Sequence, residues 1–284
     1  MTIDLHVHST MSDGTMSPTE LVDLAQKKGL RAIALTDHDT FAGYAEASRR
    51  GSAVGLEVLS GIELSVRLQD SHLHLLGYLF DCEDQVFLGR IEKLQQARDL
   101  RNEEIIAKLN ALGITITSAE LAHVSGSGQT GRPHIAQLLL HKKIVRSMDE
   151  AFDTYLGQSG SVYVSRFSYE VKEAIDFVHQ AGGVAVLAHP YHLLKDDLEN
   201  GALLGQLKDI GLDGVEAYYP THIRKFRKQL IKLAEKYGLF ITGGSDYHGT
   251  IRQGTSLAGG KGVSVPEHLV GIMRRAKDKI TVKY

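Results

Sequence analysis

An α/β fold, a mostly parallel barrel interrupted by a helical insertion, is what this chain of 284 residues predicts. Three observations lead there. Strand and helix patterns alternate at both ends of the chain. A run from about residue 85 to 165 reads almost wholly as helix. Nearly every expected strand carries a histidine or an acid at its end.

The opening stretch, DLHVHSTMSDG, reads as a strand because Ile3, Leu5 and Val7 alternate with Asp4, His6 and His8. Side chains two apart share a face, so both imidazoles point the same way. SPTELVDLAQKKG follows as a helix, with Ser17 as N-cap, Pro18 in the first turn, Glu20 completing a capping box and Gly29 as the stop. RAIALTDHD is the next strand and TFAGYAEASRRG the next helix. LEVLSGIELSV and HLHLLGYLF then form a strand pair. The helical run comprises RIEKLQQARDLRNEEIIAKLNALG, SAELAHV, RPHIAQLLLHK and SMDEAFDTYLG, with SGSGQTG as a polar loop inside it. Strands return at GGVAVLAHP, DGVEAYYP and GLFITGGSDYH, and KITVKY is expected as a closing edge strand. These boundaries place a barrel at 1–84 and 166–284 and a helical cap at 85–165.

Composition narrows the function classes. Lys and Arg number 32 against 34 Asp and Glu, a formal charge of −2, so no overall field recruits long nucleic acid or an anionic membrane. Cys82 is the one cysteine, which excludes an internal disulfide framework and suits a reducing compartment. The start lacks the pattern of a signal peptide and no apolar run approaches a membrane span, so a cytoplasmic protein is expected.

The polar residues at strand ends carry the chemistry. In parallel α/β barrels these ends converge on one face. Here they bring His6, His8, Asp13, His38, Glu63, His74, His189, Asp246 and His248. Imidazole and carboxylate suit Zn²⁺, Mn²⁺ or Fe²⁺, and the absence of thiolate ligands argues against a structural zinc knuckle. The set is too large for one tetrahedral site and fits two or three ions, with Glu63 able to bridge. His72 shares a face with His74, and spacing leaves either open. Singly, each residue is explained as a hydrogen-bonded core or turn residue. Together they would bury many ionisable groups uncompensated, at several kcal/mol for each unpaired charge.

DLHVHSTMSDG, ALTDHDT, GIELS, HLHLLGY, LAHP and GGSDYHG, in that order, resemble the motifs of the PHP (polymerase and histidinol phosphatase) family. The resemblance implies a distorted (β/α)7 barrel and a cluster of two or three divalent ions. It implies that His6, His8, Glu63 and Asp246 hold one ion, Glu63, His74 and His189 a second, and Asp13, His38 and His248 a third. It favours His74 over His72. Mn²⁺ is the expected ion, with Fe²⁺ or Zn²⁺ as alternatives. The insertion and GRPHIA are most similar to the stand-alone branch of 3′,5′-nucleotide bisphosphate phosphatases and 5′-to-3′ exoribonucleases. Arg132 and His134 are then candidate phosphate binders, although both also fit a capped helix start.

Weaker candidates complete the set. Tyr219 is a possible substrate contact, His222 a possible leaving-group contact, and Asp39 a residue that orients His38 or moves a proton. Arg224, Lys228, Lys232 and Lys236 form a basic helical strip, either a nucleic-acid track or a solvated face. Gly243 and Gly244 permit close approach of the chain. The expected reaction is attack on phosphorus by hydroxide formed at the metals, removing the 3′-phosphate of nucleoside 3′,5′-bisphosphates. The alternatives are a 5′-to-3′ exonuclease on short oligonucleotides, a histidinol phosphate phosphatase, and a metal-stabilised nucleotide-binding module without turnover. A small nucleotide is the expected partner, and no obligate protein partner is indicated.

Overall fold

The computed structural model describes residues 2–69, 71–126, 128–252, 254–258 and 264–281. Its first half is built as the local signals require. The strand β1 (Thr2–Val7) leads to α1 (Pro18–Lys27), where Ser17 and Glu20 cap each other. Two further strands, β2 (Ala32–Leu35) and β3 (Glu57–Leu59), flank α2 (Tyr44–Val54), which stops at Gly55 in the left-handed region.

LEVLSGIELSV is not one strand. It breaks after Leu59, and β4 (Gly61–Leu68) starts anew, antiparallel to β5 (Ser71–Tyr78). Gly61 makes the break possible, because a Cβ there would lie 2.5 Å from the Leu35 carbonyl oxygen.

Four α-helices follow: α3 (Gln85–Ala111), α4 (Ser118–Ser125), α5 (Arg132–His141) and α6 (Met148–Ala151), the last running into a π-helical turn at Phe152–Leu156. They share an apolar cluster of their own, including Ile105, Leu109, Leu121, Ile135 and Leu139. The chain then returns through β6 (Tyr169–Glu170), α7 (Val171–Gln180), β7 (Val184–Leu187), α8 (Tyr191–Leu194), α9 (Ala202–Asp209), β8 (Gly214–Tyr218), α10 (Arg224–Tyr237) and β9 (Phe240–Gly243). It ends in β10 (Val265–Pro266) and α11 (His268–Thr281). The expected closing strand is therefore corrected: Lys279–Thr281 end a helix, and 282–284 lie outside the described residues.

The strands form two sheets, ordered β10-β1-β2-β3 and β6-β4-β5-β7-β8-β9. A continuous closed barrel is not present among the described residues. The β5 strand runs antiparallel to both neighbours, and outside the two sheets the strand-type pairing among the described residues is limited to isolated bridges, Val7 to Tyr247 and His38 to Glu63. Both bridges carry or adjoin candidate ligands. Between the sheets lies an apolar interior that includes Leu5, Ala34, Leu76 and Val186, and the Tyr78 hydroxyl donates across it to the Leu5 carbonyl at 2.6 Å. No described helix is long and apolar enough to cross a membrane.

Candidate metal centre

Glu63 is the hub of the site. The strand break puts it third in β4 instead of at a strand end, and the bridge to His38 draws it under the ends of β1 and β2. Its Oε2 lies 3.4 Å from His6 Nε2, 3.1 Å from His8 Nε2 and 3.1 Å from His38 Nδ1. Its Oε1 lies 2.8 Å from His74 Nδ1 and 2.9 Å from His189 Nε2. One buried carboxylate thus faces five imidazoles, three on one oxygen and two on the other.

The remaining candidates close the cluster. Asp246 Oδ1 stands 3.4 Å from His6 Nε2 and 3.2 Å from His8 Nε2. Asp13 faces His8, His38 and His248 at 3.6, 3.8 and 3.4 Å. The donor atoms of His6, His8, Glu63 and Asp246 all lie within 4.8 Å of one another, as do those of His8, Asp13, His38 and His248, and those of His38, Glu63 and His74. All nine residues singled out from the sequence are brought together. His72 is not among them: it is exposed and lines a neighbouring cavity.

The ring nitrogens test whether this cluster suits metal ions. His6 Nδ1 donates to buried Glu216 at 3.0 Å, and His248 Nδ1 donates to the Asp246 carbonyl at 2.9 Å, so each Nε2 turns a lone pair inward. The Nε2 atoms of His6 and His8 and the Nδ1 of His38 are buried with no hydrogen-bond partner. Orphaned inward lone pairs beside carboxylates are what a divalent cation satisfies, so the donor set fits. Burial depresses the His8 imidazole, but the carboxylates of Asp246, Glu63 and Asp13 outweigh it and raise the ring to about 10. Burial dominates at His38 and pushes it down to about 3. Protons and divalent cations compete for the same space.

Buried acids that the sequence reading did not single out support the ligands. Asp4 accepts from Ser245 N at 2.8 Å and Ser245 Oγ at 2.6 Å, fixing the loop that carries Asp246. Asp37 holds Ser9 in the same way, at 2.7 Å to both N and Oγ, and also accepts from Ser12 Oγ at 2.6 Å beside Asp13. The available signal was a serine beside His8, Asp13 and Asp246. Gly244 answers a close approach, since a Cβ there would lie 2.3 Å from the His6 Cβ. Asp246 and His189 both take positive φ, 51° and 25°, strain that the surrounding hydrogen bonds hold in place.

The structure places four further candidates. Asp39 does not touch His38: its carboxylate accepts from Ser65 N at 2.8 Å, Arg98 Nε at 2.6 Å and Arg166 Nη2 at 3.0 Å. His134 is occupied as a helix cap, its Nδ1 accepting from Gly131 N at 3.0 Å, and it does not line the arginine-rich cavity described below. His222 donates from Nδ1 to the Ala217 carbonyl and packs against Tyr219 and Phe226, without lining either cavity beside the cluster. Tyr219 serves a carboxylate, donating to Asp246 Oδ2 at 2.6 Å, and Arg252 also pairs with that oxygen.

Beside the cluster opens a cavity of roughly 330 Å³ lined by Arg98, Arg101, Arg132 and Arg166, with Asp13, His38 and His74 on its inner wall. Arg132 was singled out from the sequence; the others were not. Asp39 pairs with both Arg98 and Arg166, whereas Arg101 has, among the described residues, only the neutral Asn102 amide oxygen as a hydrogen-bond partner, at 2.9 Å. Burial and the neighbouring Arg98, Arg166 and Arg132 push the Arg101 guanidinium down, and the four arginines line this wall with N–H donors of the kind that suits an anion.

Comparison with known proteins shows the family. The family model described as PHP domain matches residues 4–241. A 5′-3′ exoribonuclease of Haemophilus influenzae is 34% identical over 245 residues, covering 86% of this chain and 89% of its own. A 3′,5′-nucleoside bisphosphate phosphatase of Chromobacterium violaceum is 30% identical over 249 residues, covering 87% of each. A solved structure from Bifidobacterium adolescentis, assigned as a metal-dependent phosphoesterase, superposes with a TM-score of 0.86 at 28% identity over 96% of both chains.

Proposed function

The chain belongs to the PHP domain family and is a metal-dependent phosphoesterase, and from that premise we propose that it removes the 3′-phosphate of nucleoside 3′,5′-bisphosphates. The observation that carries the proposal is the arginine cavity opening onto the Glu63 cluster. A substrate with two phosphates needs two anion sites side by side. The cluster would take the phosphate that is cleaved and the arginines the one that is kept.

His6, His8, Glu63 and Asp246 would hold one ion, Glu63, His74 and His189 a second, and Asp13, His38 and His248 a third, on the spine of a distorted (β/α)7 barrel capped by residues 85–165. Mn²⁺, Fe²⁺ and Zn²⁺ all suit these donors. Bound there, divalent ions supply a nucleophile from water at neutral pH and offset charge on the phosphoryl oxygens. The chain's own residues do the positioning. Glu216 fixes the His6 ring, and Tyr219 with Arg252 fixes Asp246. Arg101 and Arg132 would grip the 5′-phosphate through charge-assisted hydrogen bonds, setting the 3′-ester over the cluster. Histidinol phosphate suits the cavity poorly, because its ammonium group would meet four guanidinium groups.

The test is phosphate release from adenosine 3′,5′-bisphosphate by the Mn²⁺-loaded protein and by Arg101→Gln. AMP is the expected product, and the variant should lose about ten- to a hundredfold in kcat/KM, the worth of one charge-assisted hydrogen bond. Equal turnover of adenosine 3′-phosphate, which has no 5′-phosphate, would overturn the reading. A 5′-to-3′ exonuclease reading is favoured by a second cavity on the cluster.

A further inference from the structure

That second cavity, roughly 370 Å³, meets the cluster at His38, Glu63, His74, His189, Asp246 and His248. Its outer wall is Tyr191, His192, Tyr219, Thr221 and Arg252. It shares only His38 and His74 with the arginine cavity. A 3′-phosphate monoester has no use for it: the phosphoryl group ends the molecule, and its other oxygens carry nothing. A phosphodiester differs, because the same phosphorus bears a second nucleoside through O5′.

Beyond the outer wall the surface is basic. Thr221 is followed by Arg224, Lys225 and Lys228, all exposed on the first turns of α10. Cations there oppose the helix dipole, which favours anions at an N-terminus, and the first turn carries no acid and has no side-chain cap. Helix stability therefore does not explain them. Tyr191 packs on Phe226 of that turn with ring centroids 4.9 Å apart, which joins the cavity wall to α10 and holds the neighbouring His192 in the open. Aromatic faces beside a run of cations are the physical requirements for holding single-stranded nucleic acid.

We infer that this cavity and the start of α10 form a subsite for the nucleotides that follow the scissile phosphate in a 5′-phosphorylated single strand. The inference rests on the phosphate-binding role given above to the arginine cavity, which would hold the first nucleotide. The bond cleaved is the same in both substrates. The oxygen of water bonds to phosphorus and the bond from phosphorus to O3′ breaks. One water proton ends on O3′ of the released 5′-mononucleotide. The other is lost to solvent from the new 5′-phosphate of the shortened chain. That new 5′-phosphate is the group the arginine cavity takes next.

The experiment compares the unaltered protein with a variant carrying His192→Ala, Arg224→Ala, Lys225→Ala and Lys228→Ala. The substrates are adenosine 3′,5′-bisphosphate and a 5′-phosphorylated RNA pentamer. The expected result is a fall of about tenfold or more in kcat/KM on the pentamer, the worth of one stacked base, with bisphosphate turnover unchanged. The salt dependence of pentamer turnover should also become shallower. An equal loss on both substrates, or no loss on the pentamer, overturns the subsite. If the unaltered protein leaves the bisphosphate intact, the proposed function falls instead, and fluorescence anisotropy of the labelled pentamer decides the subsite: weaker binding by the variant supports it and equal binding overturns it.

Discussion

Asp39 directly follows a candidate ligand, yet its carboxylate turns away to hold Arg98 and Arg166 over the cluster. It does so from φ 53°, a conformation that asparagine also tolerates, so Asp39→Asn removes the charge without disturbing the backbone. Two buried guanidinium groups then lose their counterion. We expect kcat/KM on a phosphate substrate to fall about tenfold, mainly through KM, since what is lost is the placement of anion-binding groups. Steady-state kinetics check this, and a fall confined to kcat would contradict it. Cys82 shows the opposite use of burial. Desolvation, with Asp81 and Glu83 adding to it, pushes its thiol up to about 11. The thiolate is the reactive form, so alkylation by iodoacetamide should be slow at pH 8 and keep accelerating as pH rises towards 11. A plateau below pH 9 would show the thiol unperturbed.

At the scale of elements, the site depends on backbone clamped by buried acids from neighbouring segments. Asp4 on Ser245, Asp37 on Ser9 and Asp39 on Ser65 repeat one device, a carboxylate taking a serine N–H, with the hydroxyl as well in the first two. Each serine sits within two residues of a candidate ligand, so the clamp fixes the ligand's backbone. Hydrophobic periodicity cannot report this, and it also merged β3 with β4, because an apolar run broken by one Ser-Gly pair still reads as continuous. The helical segment docks by the same logic. Gln129 N donates to the Met11 carbonyl at 2.8 Å, and a Cβ on Gly128 would lie 2.1 Å from the Thr10 carbonyl oxygen. Gly128→Ala must push this loop off the Asp13 loop. It should cost about 1–3 kcal/mol in urea denaturation and lower turnover as the arginines shift; retention of both would show that the contact is dispensable.

For the whole molecule, a formal charge of −2 conceals a strong internal separation, with carboxylates gathered in the cluster and arginines gathered beside it. What the cavity offers an anion is this local field and not the net charge. The inward imidazoles and carboxylates predict a fold stabilised by cations. Chelation with EDTA should abolish turnover and lower Tm, and added Mn²⁺ should restore both. Because protons compete for the same nitrogens and oxygens, the Mn²⁺ needed for half-restoration should rise as pH falls from 8 to 6. A Tm indifferent to EDTA would argue for a cluster satisfied by protons alone.

The sequence by itself determined the α/β class, the helix start at Ser17, and the nine residues, Glu63 among them, that meet in the cluster. Those are local matters: alternation places a side chain on a face, and residue type at a strand end states its chemistry. Only the tertiary structure decided the rest. No local pattern singles out Arg98, Arg101 or Arg166, and His134 is expected from the sequence as a phosphate binder. A guanidinium is driven to a partner only once packing has stripped its water, and segments more than fifty residues apart supply that packing. Which acid meets which arginine, and which histidine faces inward, is therefore settled by long-range contacts that no local pattern records.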